Sequence, residues 1–315
     1  MYREKLINKK KKKYMIKGKV LKGVLFVVLG ATSYGMLATF VRMAYNEGYT
    51  TAEATTSQFA IGILGLLAIL LFKTKVKKQK LKKATRKEMF SLLLAGLSTG
   101  TTSIFYYLAV RYIPVSIGIV LLMQTVWIGV IVEMIVDGKK PGVAKIVAVM
   151  IVLIGTLMAT NLINADVHLD WRGVLLGLLA AVSFTTTMFA SNKIAIRLAP
   201  IKRSLFMIMG GALVVFVFGL FTQVDPYNFQ IFLKWGFVLA LFGTIIPPIL
   251  MNLGFPLCGI GLGSIVSSAE LPVSVLMAYM FLHERVTAIQ WLGILLIILA
   301  IIIMNLRLKN KLATK

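Results

Sequence analysis

Residues 266–281 read VSSAELPVSVLMAYMF. An ionisable acid, Glu270, and a helix breaker, Pro272, stand inside a run that is otherwise almost wholly apolar. A carboxylate at the centre of a bilayer costs roughly 2.5–3.5 kcal/mol on translocon scales, so such a group faces a bundle interior or a wet cavity. There it could carry a proton or hold the ammonium group of a solute; the structural alternative is a protonated carboxyl bonded to a neighbouring helix. The remaining acids, Glu53, Asp137, Asp166, Asp225 and Glu284 among them, fall in loops or at span ends. Glu133 lies near a span end, within reach of Lys139 or Lys140.

Other polar groups recur at similar depth. Ser98 to Ser103 reads STGTTS, with Tyr106 and Tyr107 beyond it. Hydroxyls in lipid can bond back to their own helix or glue two helices. This run covers every side of a helix, so part of it, Thr99 and Ser103 with Tyr106, is expected to line a cavity. Ser33 and Tyr34, Gln124 and Trp127, Ser183, Phe184 and Thr187, Asn252 and Ser267 complete a candidate substrate-binding set around Glu270. Hydroxyl, amide and aromatic walls suit a small amphipathic solute such as an amino acid. Pro272 is expected to free the carbonyl of Ser268, and Pro247 with Pro248 to break an adjacent span. Pro114 is expected to open a helix, where its missing donor costs little. The single cysteine, Cys258, forms no internal disulfide, and His168 and His283 stand far apart. Neither a metal site nor a phosphate-cradling loop is expected, and no cofactor.

The elements that must hold these groups are apolar. Of 315 residues, 58% are hydrophobic, and the mean hydropathy is +0.87. Runs of about 20 such residues cross a bilayer as helices. Ten are expected, near 23–44, 51–72, 89–110, 114–136, 143–160, 173–194, 204–222, 235–256, 261–282 and 287–305. The period-2 alternation of a membrane barrel is absent, so the fold class is an all-α integral membrane protein. The formal charge is +24, and 30 of the 35 Lys and Arg fall at alternate ends of the spans. Basic loops stay in the cytoplasm, which places both termini there, in a multi-pass protein of the cell membrane. The KKKKK run at 9–13 reads as a topology signal and a contact for anionic lipid. No aromatic interleaving points to nucleic acid.

The chain repeats itself. KGVLFVVLGATSYG from Lys22 matches RGVLLGLLAAVSFT from Arg172 at an offset of 150, which pairs Ser33 with Ser183 and Tyr34 with Phe184. A weaker match near an offset of 146 sets Gln124 opposite Glu270. Five spans per copy force the second copy to enter from the other face. The expected plan is a basic segment 1–22, a five-helix repeat 23–160, an external linker 161–172, an inverted five-helix repeat 173–305 and a tail 306–315. Inverted repeats underlie secondary transporters, whose site lies between the halves near the midplane.

ELPVSVLMAYMFLHERVTAIQWLGILLI from Glu270 to Ile297, within this ten-span plan, resembles the EamA branch of the drug/metabolite transporter superfamily. The matching positions are Pro272, Glu284, Gln290 and Gly293; DGKKPGVAK at 137–145 departs from the pattern in the first repeat. The resemblance implies a central cavity lined by the first, third and fourth spans of each repeat, with the fifth and tenth as scaffold. It also implies export of amino acids, other metabolites or toxic compounds, usually without ATP, with protons as one candidate coupling ion. The protein is expected to act as a monomer and not as an enzyme. A passive channel or lipid scramblase is the alternative class. A membrane-embedded enzyme is a further one, but Glu270 lacks a deep His, Asp or Cys companion.

Overall fold

The structure is a computed structural model. It describes residues 2–113, 115–138, 140–160, 170–283 and 285–311, with side chains described from Gly18 to Met304 apart from 114–116, 139, 161–169 and 284. Pro114, Lys139, Asp166, His168, Glu284 and nearly all of the 161–172 linker therefore lie outside the described residues. So do the side chains of the KKKKK run, though its backbone continues the first helix.

All regular structure among the described residues is helical. The first half carries α1 (Tyr2–Asn46), α2 (Thr51–Leu71), α3 (Arg86–Tyr112), α4 (Val115–Leu122), α5 (Thr125–Asp137) and α6 (Val143–Ala159). The second carries α7 (Trp171–Lys193), α8 (Pro200–Thr222), α9 (Phe237–Leu239), α10 (Ile246–Cys258), α11 (Ile260–Ser267), α12 (Glu270–Phe281) and α13 (Ala288–Lys311). Sequence explains several of the starts. Thr50 with Glu53, and Thr85 with Glu88, form reciprocal capping boxes for α2 and α3. Pro200 opens α8, where a missing N–H costs little.

Among the described residues, eight helical runs are long and apolar enough to cross a membrane, while Val143–Ala159 and Ala288–Met304 are shorter. At 17 residues, α6 spans about 25 Å. These two short runs stand fifth and tenth in order, and α6 packs chiefly on α13, both contributing buried residues to one core with α1, α5, α7 and α10.

The fourth and ninth spans are both broken. α4 ends at Leu122 and α5 starts at Thr125; α11 ends at Ser267 and α12 starts at Glu270. The residues before the restarts have matching backbones, Gln124 at φ −58°, ψ −20° and Ala269 at φ −58°, ψ −17°. The equivalence is therefore Thr125 with Glu270, an offset of 145, and the expected pairing of Gln124 with Glu270 is corrected by one residue. Pro272 does not cause the break, since the first repeat breaks without a proline. Nor is the Ser268 carbonyl left free: Leu271 N–H donates to it at 3.1 Å. Pro272 sits in the first turn of α12, the position that tolerates it.

Pro247 and Pro248 are accommodated differently. The span from Phe232 to Cys258 contains wide π turns at Phe232–Gly236 and Ala240–Ile245. In a π turn each N–H reaches the carbonyl five residues back, and Pro247 has none to offer Phe242. Ser33 Oγ donates to the Phe242 oxygen instead, at 3.1 Å.

Close packing between the halves relies on absent side chains. A Cβ on Gly96 would collide with the Met207 carbonyl, one on Gly100 with Gly211, and one on Gly210 with the Leu93 carbonyl, so α3 and α8 meet backbone to backbone. Polar contacts then pin the two ends. At one end lie the basic loops, joined by Arg197 to Glu88, Lys193 to Asp137 and Lys202 Nζ to the Lys82 carbonyl. Glu133 pairs there with Lys145, which was not among the partners expected from sequence. At the other end Thr50 Oγ1 donates to Gln223 Oε1 at 2.7 Å, and Asn228 N–H donates to Glu53 Oε1 at 2.6 Å. Glu53 is 3% exposed and serves both the α2 cap and this loop. Glu53→Ala is expected to cost about 2 kcal/mol, the sum of a lost cap and a lost charged hydrogen bond. Thermal unfolding in detergent would read this; an unchanged midpoint would show that the loop is held elsewhere.

Candidate functional site

Between the two halves lies a cavity of about 670 Å³. It opens at the end bearing Asn46, Thr50, Arg111 and Gln223, and narrows toward Tyr34 and Phe184. Those two rings meet edge to face, with centroids 6.0 Å apart at 85°. They are also counterparts in the repeat, so their contact straddles the axis that relates the two halves. The walls come from α1, α3, α4, α7, α12 and the Phe232–Cys258 span, as the resemblance implied, and additionally from α2 and α8.

Three buried polar atoms on these walls have no hydrogen-bond partner: Glu270 Oε2, Gln58 Oε1 and Thr99 Oγ1. An unpaired buried polar group costs about 1–3 kcal/mol, so these atoms mark where water or a solute must supply partners. Tyr106, Ser103 and Thr187 add a phenol and two hydroxyls, while Arg42, Arg111 and Asp225 stand nearer the mouth. Glu270 is the deep charge. Its position follows from the break in the ninth span, which starts α12 at that residue and turns its first turn toward α1. Gly35 of α1 lies against the Glu270 carbonyl with no room for a Cβ.

Seven of the thirteen candidate substrate-binding residues thus share one cavity: Tyr34, Thr99, Ser103, Tyr106, Phe184, Thr187 and Glu270. The rest lie elsewhere. Ser33 serves the π turn. Ser183 Oγ donates to the Ser98 carbonyl at 2.8 Å and shares a 2.6 Å hydrogen bond with Thr101 Oγ1. The STGTTS run therefore does both things considered for it, since Ser98 and Thr101 glue α3 to α7 and Thr99, Thr102 and Ser103 face the cavity. Ser267 Oγ donates to the Gly263 carbonyl at 2.9 Å. Asn252 Nδ2 donates to Ser204 Oγ at 3.0 Å, below the aromatic pair. Trp127, 39% exposed, donates to Gln124 Oε1 at 2.7 Å on the outside of α5. Trp127→Ala is expected to leave solute affinity within about twofold of wild type, whereas Tyr34→Ala changes it tenfold or more through a lost aromatic contact of about 1.5 kcal/mol. Isothermal titration separates the two; equal effects would place the solute away from the Tyr34 ring.

Two groups escaped sequence reasoning. Gln58 was a visible signal, as the amide in the apolar second span. Arg203 reads as one more basic loop residue, yet it is 1% exposed. Its guanidinium donates to the carbonyls of Ala190, Ser191 and Ile194 near the end of α7, and to that of Asn252 on α10, at 2.7–3.2 Å. A cation at a helix C-terminus is favoured by the dipole. Pro200 was the overlooked cue, since it starts the helix early enough to draw Arg203 into it.

A two-repeat helical membrane protein with a one-ended central cavity has the architecture of the drug/metabolite type of transporter. The model of the EamA-like transporter family matches residues 21–161 and again 171–306, and the chain belongs to that family. Among curated proteins, none matches significantly. A solved structure, titled only as the crystal structure of a protein, superposes with a TM-score of 0.73 at 14% identity. The match covers 91% of this chain and 97% of the other, and it shows a shared fold.

Proposed function

We propose that this membrane transporter is a secondary exporter of small amphipathic metabolites such as amino acids, working by alternating access. The observation that carries the reading is the unpartnered Glu270 carboxylate oxygen in a cavity reached from one end. In this reading all ten apolar helices cross the cell membrane, and the basic end lies in the cytoplasm with both termini, against anionic lipid. The cavity then faces outward, the state from which an exporter releases its solute. Glu270 with Gln58 and Thr99 receives an ammonium group or a proton, and the rings of Tyr34, Tyr106 and Phe184 receive the apolar body. One chain encloses the whole cavity, so the working unit is a monomer.

The test is counterflow. A library of amino acids, nucleosides and sugars is first screened for ligand-induced thermal stabilisation, since a ligand bound to the native state raises the midpoint by mass action. Liposomes preloaded with the unlabelled hit should then accumulate labelled hit transiently above equilibrium. Simple equilibration without overshoot would mean a channel.

A further inference from the structure

Three walls of the cavity each present one acceptor that nothing in the protein satisfies: Gln58 Oε1 from α2, Thr99 Oγ1 from α3 and Glu270 Oε2 from α12. Close packing sets the three at one level. Gly35 of α1 lies directly against the Glu270 carbonyl. Leu37 stands two residues further along α1, about 3 Å by helical rise. A Cβ on Gly243 would overlap both Leu37 and the Gln58 amide. Phe59, next to Gln58, reaches Gly211 of α8, and Gly211 abuts Gly100, the neighbour of Thr99. The serine and threonine donors around this floor are already engaged. Thr102 Oγ1 donates to the Ser98 carbonyl at 2.7 Å, and Ser103 Oγ to the Thr99 carbonyl at 3.3 Å. The Thr187 hydroxyl shares a 2.7 Å hydrogen bond with Ser98 Oγ. Acceptors are left in surplus.

We infer that this floor is a tripod for a primary ammonium group, and that the solute is a primary amine with an apolar body and no carboxylate beside the amine. This rests on the reading of the cavity as the transport site, and it narrows the amphipathic solutes proposed above to one class. A primary ammonium carries three N–H donors and no acceptor. Acceptors on three walls take one donor each, and Glu270 supplies the opposite charge. Each N-methyl group would remove a donor and set a methyl against an acceptor left unpaired. The rings of Tyr34, Tyr106 and Phe184 attract any organic cation held over their faces, so they do not discriminate among methylated forms.

The position of the other charges excludes a carboxylate at this depth. A carboxylate on the carbon that bears the amine would lie beside Glu270, where like charges repel. The cations that line the cavity stand nearer its mouth. Arg42 is seven residues beyond Gly35 on α1, about 10 Å by helical rise, and Arg111 is twelve beyond Thr99 on α3, about 18 Å. Neither backbone is level with the floor. A free α-amino acid is therefore a weaker ligand than the amine that shares its side chain.

The test is a methylation series. 2-Phenylethylamine and its N-methyl, N,N-dimethyl and N,N,N-trimethyl derivatives, all cations at neutral pH, are titrated calorimetrically into the full chain in detergent, with phenylalanine beside them. Affinity should fall roughly tenfold at each methyl, as expected for loss of one charged hydrogen bond, and phenylalanine should bind roughly tenfold or more weakly than the primary amine. Gln58→Leu and, separately, Thr99→Val should weaken the primary amine about tenfold and leave the trimethyl cation unchanged. A loss of packing alone would weaken all four amines alike. Two variants on different helices guard against one that fails to fold. A flat or rising series, or phenylalanine as the tighter ligand, overturns the tripod. So does an amine series that does not bind while another solute shows counterflow, and in that case the transport reading stands. A falling series with no counterflow by any solute would keep the tripod and remove the transport reading.

Discussion

Glu270→Gln is expected to abolish the pH dependence of counterflow while the protein inserts, purifies and elutes as wild type. The amide has nearly the same shape and keeps an acceptor, so packing against α1 is preserved. It cannot take up a proton or balance a cation. For a solute that presents an ammonium group, loss of a charge-assisted hydrogen bond of about 1.5–3 kcal/mol lowers affinity roughly 10- to 100-fold. The sign for stability is opposite to that for function. Glu270 has a buried oxygen without a partner, and a neutral amide carries a smaller desolvation cost than a carboxylate. The melting midpoint should hold or rise. A pH profile of counterflow that coincides with wild type would remove Glu270 from the proton pathway.

The second large effect concerns the contact between the halves. Gly96→Val sets two methyls against the Met207 carbonyl, a backbone group that cannot rotate away. Overpacking typically costs about 1–3 kcal/mol; here the obstacle is main chain on a neighbouring helix, so the cost should reach the top of that range. α3 and α8 would be forced apart, which widens the cavity wall carrying Thr99. Loss of monodisperse elution, or a fall of several degrees in unfolding temperature, is the expected readout. Gly18→Val serves as control, because nothing lies within 4 Å of a Cβ there. Equal behaviour of the two variants would mean that the helices are not in backbone contact.

Apolar run length and charge placement carried most of the architecture. The span expected at 173–194 is α7, Trp171–Lys193, and that at 143–160 is α6, Val143–Ala159. Such boundaries are legible because each run is bounded by loops too polar for lipid. The depth of Glu270 was legible for the same reason, since no other acid sits in the middle of an apolar run. What sequence could not provide was direction around a helix axis. Trp127 and Glu270 lie at comparable depth, yet one faces outward and the other inward, because rotation is set by packing partners far away in the chain. The shared break in the fourth and ninth spans was hidden too. It was attributed to Pro272, but the first repeat makes it with Gln124 and no proline. The π turns beside Pro247 leave hydrophobicity unchanged, so they left no periodic trace in the sequence.

One measurement bears most directly on the central claim that the two halves enclose a wet cavity exposing the deep acid to one face. In the Cys258→Ser background, Glu270→Cys is treated with a membrane-impermeant thiol reagent from the face carrying Asn46 and Gln223, with and without the solute found by thermal shift. Modification from that face, slowed by the solute, is the predicted result. A thiol that stays unmodified from that face, at a position that should be open to water, would place the side chain against lipid or sealed protein and contradict the account.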